Sequence, residues 1–213
     1  MSKVKIEWSP GFAYAIGLIA TDGNLSIDGR HMNFASKDIE LIETFKKCLL
    51  LDNRIGRKAR GGEIDKKYFQ VQFGDKNFYD FLLDLGLTPT KSRTIGKLEI
   101  PSDYFADFFR GCIDGDGSIG FFNHLESRHP QLRIRLVSAG NGFLEWIKGE
   151  ISNLYGIKSG WIETKEKEIS SLIYAKADSI KLFEIMYYKG VEYYLSRKYD
   201  VVKKFYGRVA ELV

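Results

Sequence analysis

Apolar and polar positions change period twice, in the same way, along this chain. Residues 12–27, "FAYAIGLIATDGNLSI", are apolar for about three turns, reach Asp-Gly and then alternate, and residues 108–122, "FFRGCIDGDGSIGFF", do the same. Each apolar run predicts a helix, and each alternating stretch predicts a half-buried strand directly after it. Both helices carry start signals. Ser9 and Pro10 read as an N-cap followed by a first-turn proline, and "PSD" at 101–103 offers Ser102 as a cap. Both end at a glycine, which takes the left-handed conformation at little cost.

One constant shift superposes the two runs, matching Gly17 with Gly111, Ile19 with Ile113, Asp22 with Asp116 and Gly23 with Gly117. The repeat continues downstream. "MNFAS" (32–36) and "LRIRLVS" (132–138) alternate as half-buried strands. With Ser36 set against Ser138, the following helices share an apolar stripe: Leu41 with Phe143, Ile42 with Leu144, Phe45 with Ile147 and Leu49 with Ile151. A second strand pair follows, clearest at "YFQVQF" (68–73), then a helix, "FYDFLLDLG" or "IKLFEIMYYKG". The pattern predicts an α+β chain with the order αββαββα twice, as lobes over 1–95 and 103–213. "GKLEIPS" (96–102) is too short for a flexible linker, so the copies should pack tightly as pseudo-symmetric lobes.

Composition adds little that conflicts. The chain has 213 residues, 44% hydrophobic and 28% charged, enough for a substantial core. Lys and Arg number 32 against 28 Asp and Glu, a net charge of +4 that allows a polyanionic partner without establishing one. Cys48 and Cys112 fall within helices and read as reduced, buried thiols. No apolar run reaches the roughly 18 residues of a membrane helix, and "MSKVKIEWSP" lacks a signal peptide's apolar region, so an intracellular protein is expected.

The acids are the unusual feature. A carboxylate at a helix C-terminus faces the negative pole of the macrodipole, and a bound cation is the simplest compensation. Mg²⁺ prefers oxygen ligands, carboxylates among them. Asp114 aligns with Ala20 and cannot be half of a matched pair; it reads as a solvated or helix-end carboxylate. His31, His124 and His129 form no metal-ligand spacing.

"AIGLIATDG" (15–23) and "FRGCIDGDG" (109–117) resemble the two motifs of a single-chain LAGLIDADG homing endonuclease, and the resemblance extends over nearly the whole chain. It implies that the motif helices pack against each other at the lobe interface, where Ala13, Gly17, Gly111 and Gly115 suit close backbone approach. It implies that Asp22 and Asp116 are catalytic acids holding two or more Mg²⁺ ions at the scissile phosphates, with the Gly23 and Gly117 regions and the backbone carbonyls of Thr21 and Gly115 as further candidates. It also implies a monomer, intron-encoded and cytoplasmic or organellar, that makes a double-strand break with short 3′ overhangs in a long duplex target, on which the two sheets form a saddle.

Strand parity marks the DNA-facing surface. Leu25, Ile27, Met32 and Phe34 should face the core, leaving Ser26, Asp28, Arg30, Asn33 and Lys37 on or near the open face. Phe69, Val71 and Phe73 go inward and Tyr68, Gln70 and Gln72 outward, and in the second lobe Gln131, Arg133 and Arg135 alternate with inward Leu132, Ile134 and Leu136. Gln suits adenine edges, and Arg suits guanine or phosphate. Lys58 and the basic loops "TKSR" (Lys91, Arg93) and "LSRK" (Arg197, Lys198) are candidate phosphate contacts. The resemblance also implies a catalytic basic residue near each scissile phosphate, able to orient water or stabilise the transition state, and Lys37 fits that place in the first lobe; Ala139 stands opposite it in the second, which predicts unequal cutting of the two strands. Rival readings are a non-cleaving LAGLIDADG regulator, which usually lacks a motif acid, and an RNA-binding intron maturase. An intein is disfavoured because no splicing block is present.

Overall fold

A computed structural model describes residues 4–59, 65–122, 130–165 and 169–210. The first half runs α1 (Pro10–Asp22), β1 (Gly23–Leu25), β2 (His31–Ser36), α2 (Ile39–Cys48), β3 (Gly56–Lys58), β4 (Tyr68–Gly74), α3 (Lys76–Asp84) and a single turn, α4 (Lys91–Thr94). The second runs α5 (Phe105–Asp116), β5 (Gly117–Phe122), β6 (Gln131–Ser138), α6 (Asn141–Tyr155), β7 (Trp161–Lys165), β8 (Ile169–Tyr174), α7 (Lys176–Met186) and α8 (Ser196–Ala210). Each half folds its strands into a four-stranded antiparallel sheet, ordered β1-β2-β4-β3 and β5-β6-β8-β7. Equal order and equal pairing make the sequence repeat a structural one.

Ser9 caps α1 as expected, its hydroxyl oxygen accepting from the Phe12 N–H at 3.2 Å. Ser102 does not cap α5. It opens a 3₁₀ turn, Ser102–Tyr104, from which the helix continues at Phe105. The matched stripe residues of α2 and α6 are all buried. Aromatic contacts close each lobe, for example Phe34 on Phe45 with centroids 4.5 Å apart and Phe108 edge-on to Phe143 at 6.5 Å. Leu98 is buried in the connecting segment, which holds that segment against the core.

Between the lobes, α1 and α5 pack backbone to backbone. A Cβ on Gly17 would lie 2.9 Å from the Cys112 nitrogen and 3.0 Å from the Gly111 Cα, and would collide with the Phe108 carbonyl oxygen. A Cβ on Gly111 would meet the Tyr14 carbonyl in the same way. Only hydrogen at both positions lets the axes come this close, and α1 is buried from Gly11 to Ala20. Parity also holds on the sheets, where Leu25, Met32, Phe34, Val71, Phe73, Leu132, Ile134 and Leu136 are buried and Phe69 is partly so. Ile27 is the exception, at 92% exposure. It lies past the end of β1, in a turn that the Asp28 carboxylate organises by accepting the Arg30 and His31 N–H groups, both at 3.0 Å. Pleat alternation does not extend into that turn.

Candidate active site and nucleic-acid interface

Asp22 and Asp116 are the last residues of α1 and α5, and the glycine seam carries both helix ends to one place. A Cβ on Gly115 would sit 3.3 Å from the Asp22 Oδ2, which puts the Asp22 carboxylate beside the residue preceding Asp116. The glycines that follow the acids are not left-handed. Gly23 has φ −72° and ψ 148°, and Gly117 has φ −93° and ψ 173°. Their requirement is steric, because a Cβ would fall 2.6 Å from the Cα of Ile19 or Ile113 as the chain turns straight from helix into strand.

Each acid opens into a recess, that of Asp22 lined by the first lobe alone and that of Asp116 by both lobes. That of Asp22 measures about 180 Å³ and is shared with Asn24, Asn33, Lys58 and Tyr68; that of Asp116 measures about 160 Å³ and is shared with Thr21, Lys91, Ser92 and Ser138. Lys37 is exposed outside the first recess, its Nζ 5.3 Å from the centroid of the Tyr68 ring. Lys58 thus lines the recess that holds Asp22, and Lys37 does not. Lys165 holds the matching register in the second sheet: Lys58 pairs with Tyr68 one step beyond Arg57 and Phe69, as Lys165 pairs with Ile169 one step beyond Thr164 and Ser170. Sequence reasoning missed this lysine, since the match exists only once strand pairing is known.

The donors at the seam are all oxygen: two carboxylates and the carbonyls of Thr21 and Gly115 in last helical turns, where carbonyls lack intrahelical donors. That set fits a hard divalent cation. The Gly23 and Gly117 carbonyls each already accept from a lysine ammonium, Lys91 and Lys198 respectively. Among the described residues, no cluster of three or more His, Cys, Asp or Glu forms a metal site, at the seam or away from it.

Two basic expectations need correction. Lys91 and Lys198 are buried, at 6% and 3% exposure, with their ammonium groups on helix-end carbonyls, so they are not phosphate clamps on open loops. Arg197 is exposed but engaged across the seam, its Nη2 2.8 Å from the Asp38 carboxylate. Arg93 is exposed on α4. Asp114 is likewise neither solvated nor at a free helix end. It is 1% exposed, and its Oδ2 accepts from the Tyr14 hydroxyl at 2.7 Å, across the helix pair, and from the Leu195 N–H at 2.8 Å. Burial pushes its carboxyl up to about 6 against the opposing pull of nearby Lys198. Arg110, wholly buried in the second motif, donates to the Tyr193 carbonyl at 2.7 Å and to Asp107, tying α5 to the segment before α8.

On the sheet faces, Asn33 and Gln72 are direct cross-strand partners, and Gln70 stands opposite Ala35, all on the side away from the core. Gln131, Arg133 and Arg135 are half-exposed on β6, with the Arg133 guanidinium 4.8 Å from the Phe122 ring centroid. Ser26 and Tyr68 are half-buried, and Asp28 and Arg30 are exposed. Hydrogen bonds from the His31 N–H and imidazole and from the Arg30 N–H hold the Asp28 carboxyl at about 2. His124 and His129 lie outside the described residues.

Two inward-alternating antiparallel sheets flanking a pair of packed helices define a class of fold, and solved structures share that fold. The chain is similar to the I-LtrWI LAGLIDADG homing endonuclease bound to target DNA, with a TM-score of 0.59 and 13% identity over 96% of this chain and 93% of that one. It is similar to I-DmoI in complex with DNA and Mn, with a TM-score of 0.56 and 17% identity over 85% and 98%. It also resembles the N-terminal LAGLIDADG domain of DUF199/WhiA, with a TM-score of 0.54 and 17% identity over 91% and 88%. The chain therefore has the two-lobe LAGLIDADG fold. No protein-family model and no curated protein matches its sequence. Among the described residues, no helix is long and apolar enough to cross a membrane.

Proposed function

We propose that the protein is a site-specific, divalent-metal-dependent DNA endonuclease that cuts both strands of a long duplex target and leaves short 3′ overhangs. The observation that carries this reading is the convergence of Asp22 and Asp116 at abutting helix ends, one acid per lobe, between two polar sheet faces. The solved structures of the same fold with DNA bound support duplex DNA as the partner. Two motifs in one chain complete the site without a second copy, which supports a monomer.

In this reading Asp22 and Asp116, with the Thr21 and Gly115 carbonyls, hold Mg²⁺. When bound, such a cation would neutralise phosphate charge and lower the pKa of a coordinated water. Lys58, which lines the Asp22 recess, and Lys37, beside Tyr68 of that recess, serve the phosphate next to Asp22, where a fixed cation stabilises charge developing on the phosphoryl oxygens. Asn33, Gln70, Gln72, Arg133 and Arg135 read base edges, and Arg30 and Arg93 hold backbone phosphates.

Cleavage of a site selected from a randomised duplex pool is the test. Asp22→Asn and Asp116→Asn should each abolish double-strand cleavage while leaving duplex affinity within a few-fold of the parent. Full cleavage by either variant removes the paired-acid mechanism. Binding without any cleavage by the parent protein points instead to a DNA-binding regulator, and a clear preference for folded RNA over the best duplex points to a maturase.

A further inference from the structure

The seam concentrates negative charge before any ligand arrives. Asp22 and Asp116 end two helices whose C-termini abut, and each helix end adds roughly half a negative charge of its own. Asp114 lies buried two residues before Asp116 in α5, its Oδ1 without a hydrogen-bond partner. Two buried cations answer this charge in matching places. The Lys91 N–H bonds the Thr88 carbonyl at 3.1 Å and the Lys198 N–H bonds the Leu195 carbonyl at 3.0 Å, so both lysines occupy the same position of equivalent turns. Each ammonium reaches the carbonyl of the glycine just after the motif acid: Lys91 that of Gly23, and Lys198 that of Gly117 at 2.8 Å. Lys198 also takes the carbonyls of Ile113, at 2.5 Å, and Asp114, at 2.9 Å, in the last turn of α5. Lys91 shares the recess of Asp116, the acid of the other lobe.

We infer that Lys91 and Lys198 are built-in countercations that hold the two acid-bearing helix ends together in the metal-free protein. They are positioning residues: they touch backbone carbonyls, and through those they fix where the two carboxylates stand. A buried lysine forfeits its hydration, a cost borne here because the alternative is two like-charged helix ends pressed together. The inference rests on reading Asp22 and Asp116 as the working acids, yet its main test requires neither DNA nor metal.

That test is a double-mutant cycle in the full chain, read as Tm in EDTA at low salt, with Lys91→Gln, Asp116→Asn and the pair. Lys91→Gln keeps a donor and removes the charge. It should lower Tm, and Asp116→Asn should then raise Tm by at least about 4 °C more in that background than in the parent. Leu87→Ala, a cavity at a fully buried position, serves as an equally destabilised background in which Asp116→Asn should have no enhanced effect. Additive cycle values, or the same gain in the Leu87→Ala background, overturn the inference. Should Lys91→Gln fail to fold alone, a double variant that folds supports the inference and one that stays unfolded overturns it. Added Mg²⁺ should also raise the Tm of Lys91→Gln more than that of the parent. Mg²⁺ without effect on any variant, beside a positive cycle, counts against the metal-site reading and leaves the countercation role standing.

Discussion

Adding one methyl at Gly17 tests whether the helix seam positions the acids. In an isolated helix Gly→Ala stabilises by about 0.5–1 kcal/mol, because glycine loses more backbone entropy on folding. At Gly17 the new Cβ meets the Phe108 carbonyl oxygen, the Cys112 nitrogen at 2.9 Å and the Gly111 Cα at 3.0 Å. All three are backbone atoms of the partner helix, so no side-chain rotamer can relieve the overlap, and the axes must separate. Overpacking of this kind costs about 1–3 kcal/mol, more where nothing can yield, so Gly17→Ala should be destabilising by roughly 2 kcal/mol net. For a chain of this size that lowers Tm by about 4–8 °C. Gly149, inside α6, has nothing within 4 Å of a built Cβ, and Gly149→Ala should therefore stabilise. Urea unfolding of both variants, compared at unchanged m, gives the sign directly. Because both acids sit on the separated helices, Gly17→Ala should also slow cleavage by on the order of a hundredfold at saturating target. A Gly17→Ala variant as stable as Gly149→Ala would refute the seam argument.

The remaining expectations concern the interface. Duplex affinity should fall steeply with salt, the log–log slope growing by about −0.9 for each phosphate contacted, and a flat salt response would count against the polar sheet faces as the binding surface. Lys58→Met should slow cleavage of one strand by about tenfold, near 1.4 kcal/mol of barrier, and by more than Lys37→Met, since Lys58 lines the Asp22 recess and Lys37 stands behind Tyr68. Strand-labelled time courses with equal effects of the two would reverse that order. The Asp28 carboxyl, held at about 2 rather than 3.8, gives its turn stability that is complete above the unfolded value and disappears as pH falls through about 2. Carboxyl chemical shifts followed by NMR should place its midpoint there, and a midpoint near 4 would mean the His31 and Arg30 bonds are absent in solution.

Much of this architecture was readable along the chain because it is local or periodic. The switch from an apolar run to alternation located α1 and β1, α5 and β5, and the shared stripe located α2 and α6. The internal repeat singled out Asp22 and Asp116 over Asp114, and pleat parity sorted the faces of β2, β4 and β6. What failed locally was modest: Ser102 began a 3₁₀ turn, and Ile27 fell into a turn where alternation stops. The larger misreadings share one cause. Lys198 reaches a carbonyl 81 positions away, Lys91 one 68 positions away, and Asp114 takes a hydroxyl from 100 positions away. A lysine in a polar loop and a carboxylate at a helix end look solvated in sequence because nothing nearby in the chain reports their partners. The glycines after the acids were expected for their conformational freedom, yet they serve close approach, and Lys165 matches Lys58 only through strand register. Sequence by itself determined where helices and strands form and which acids are equivalent, since those follow from periodicity. Tertiary structure alone decided which charges are buried, because burial depends on what the other lobe and the returning chain bring against each group.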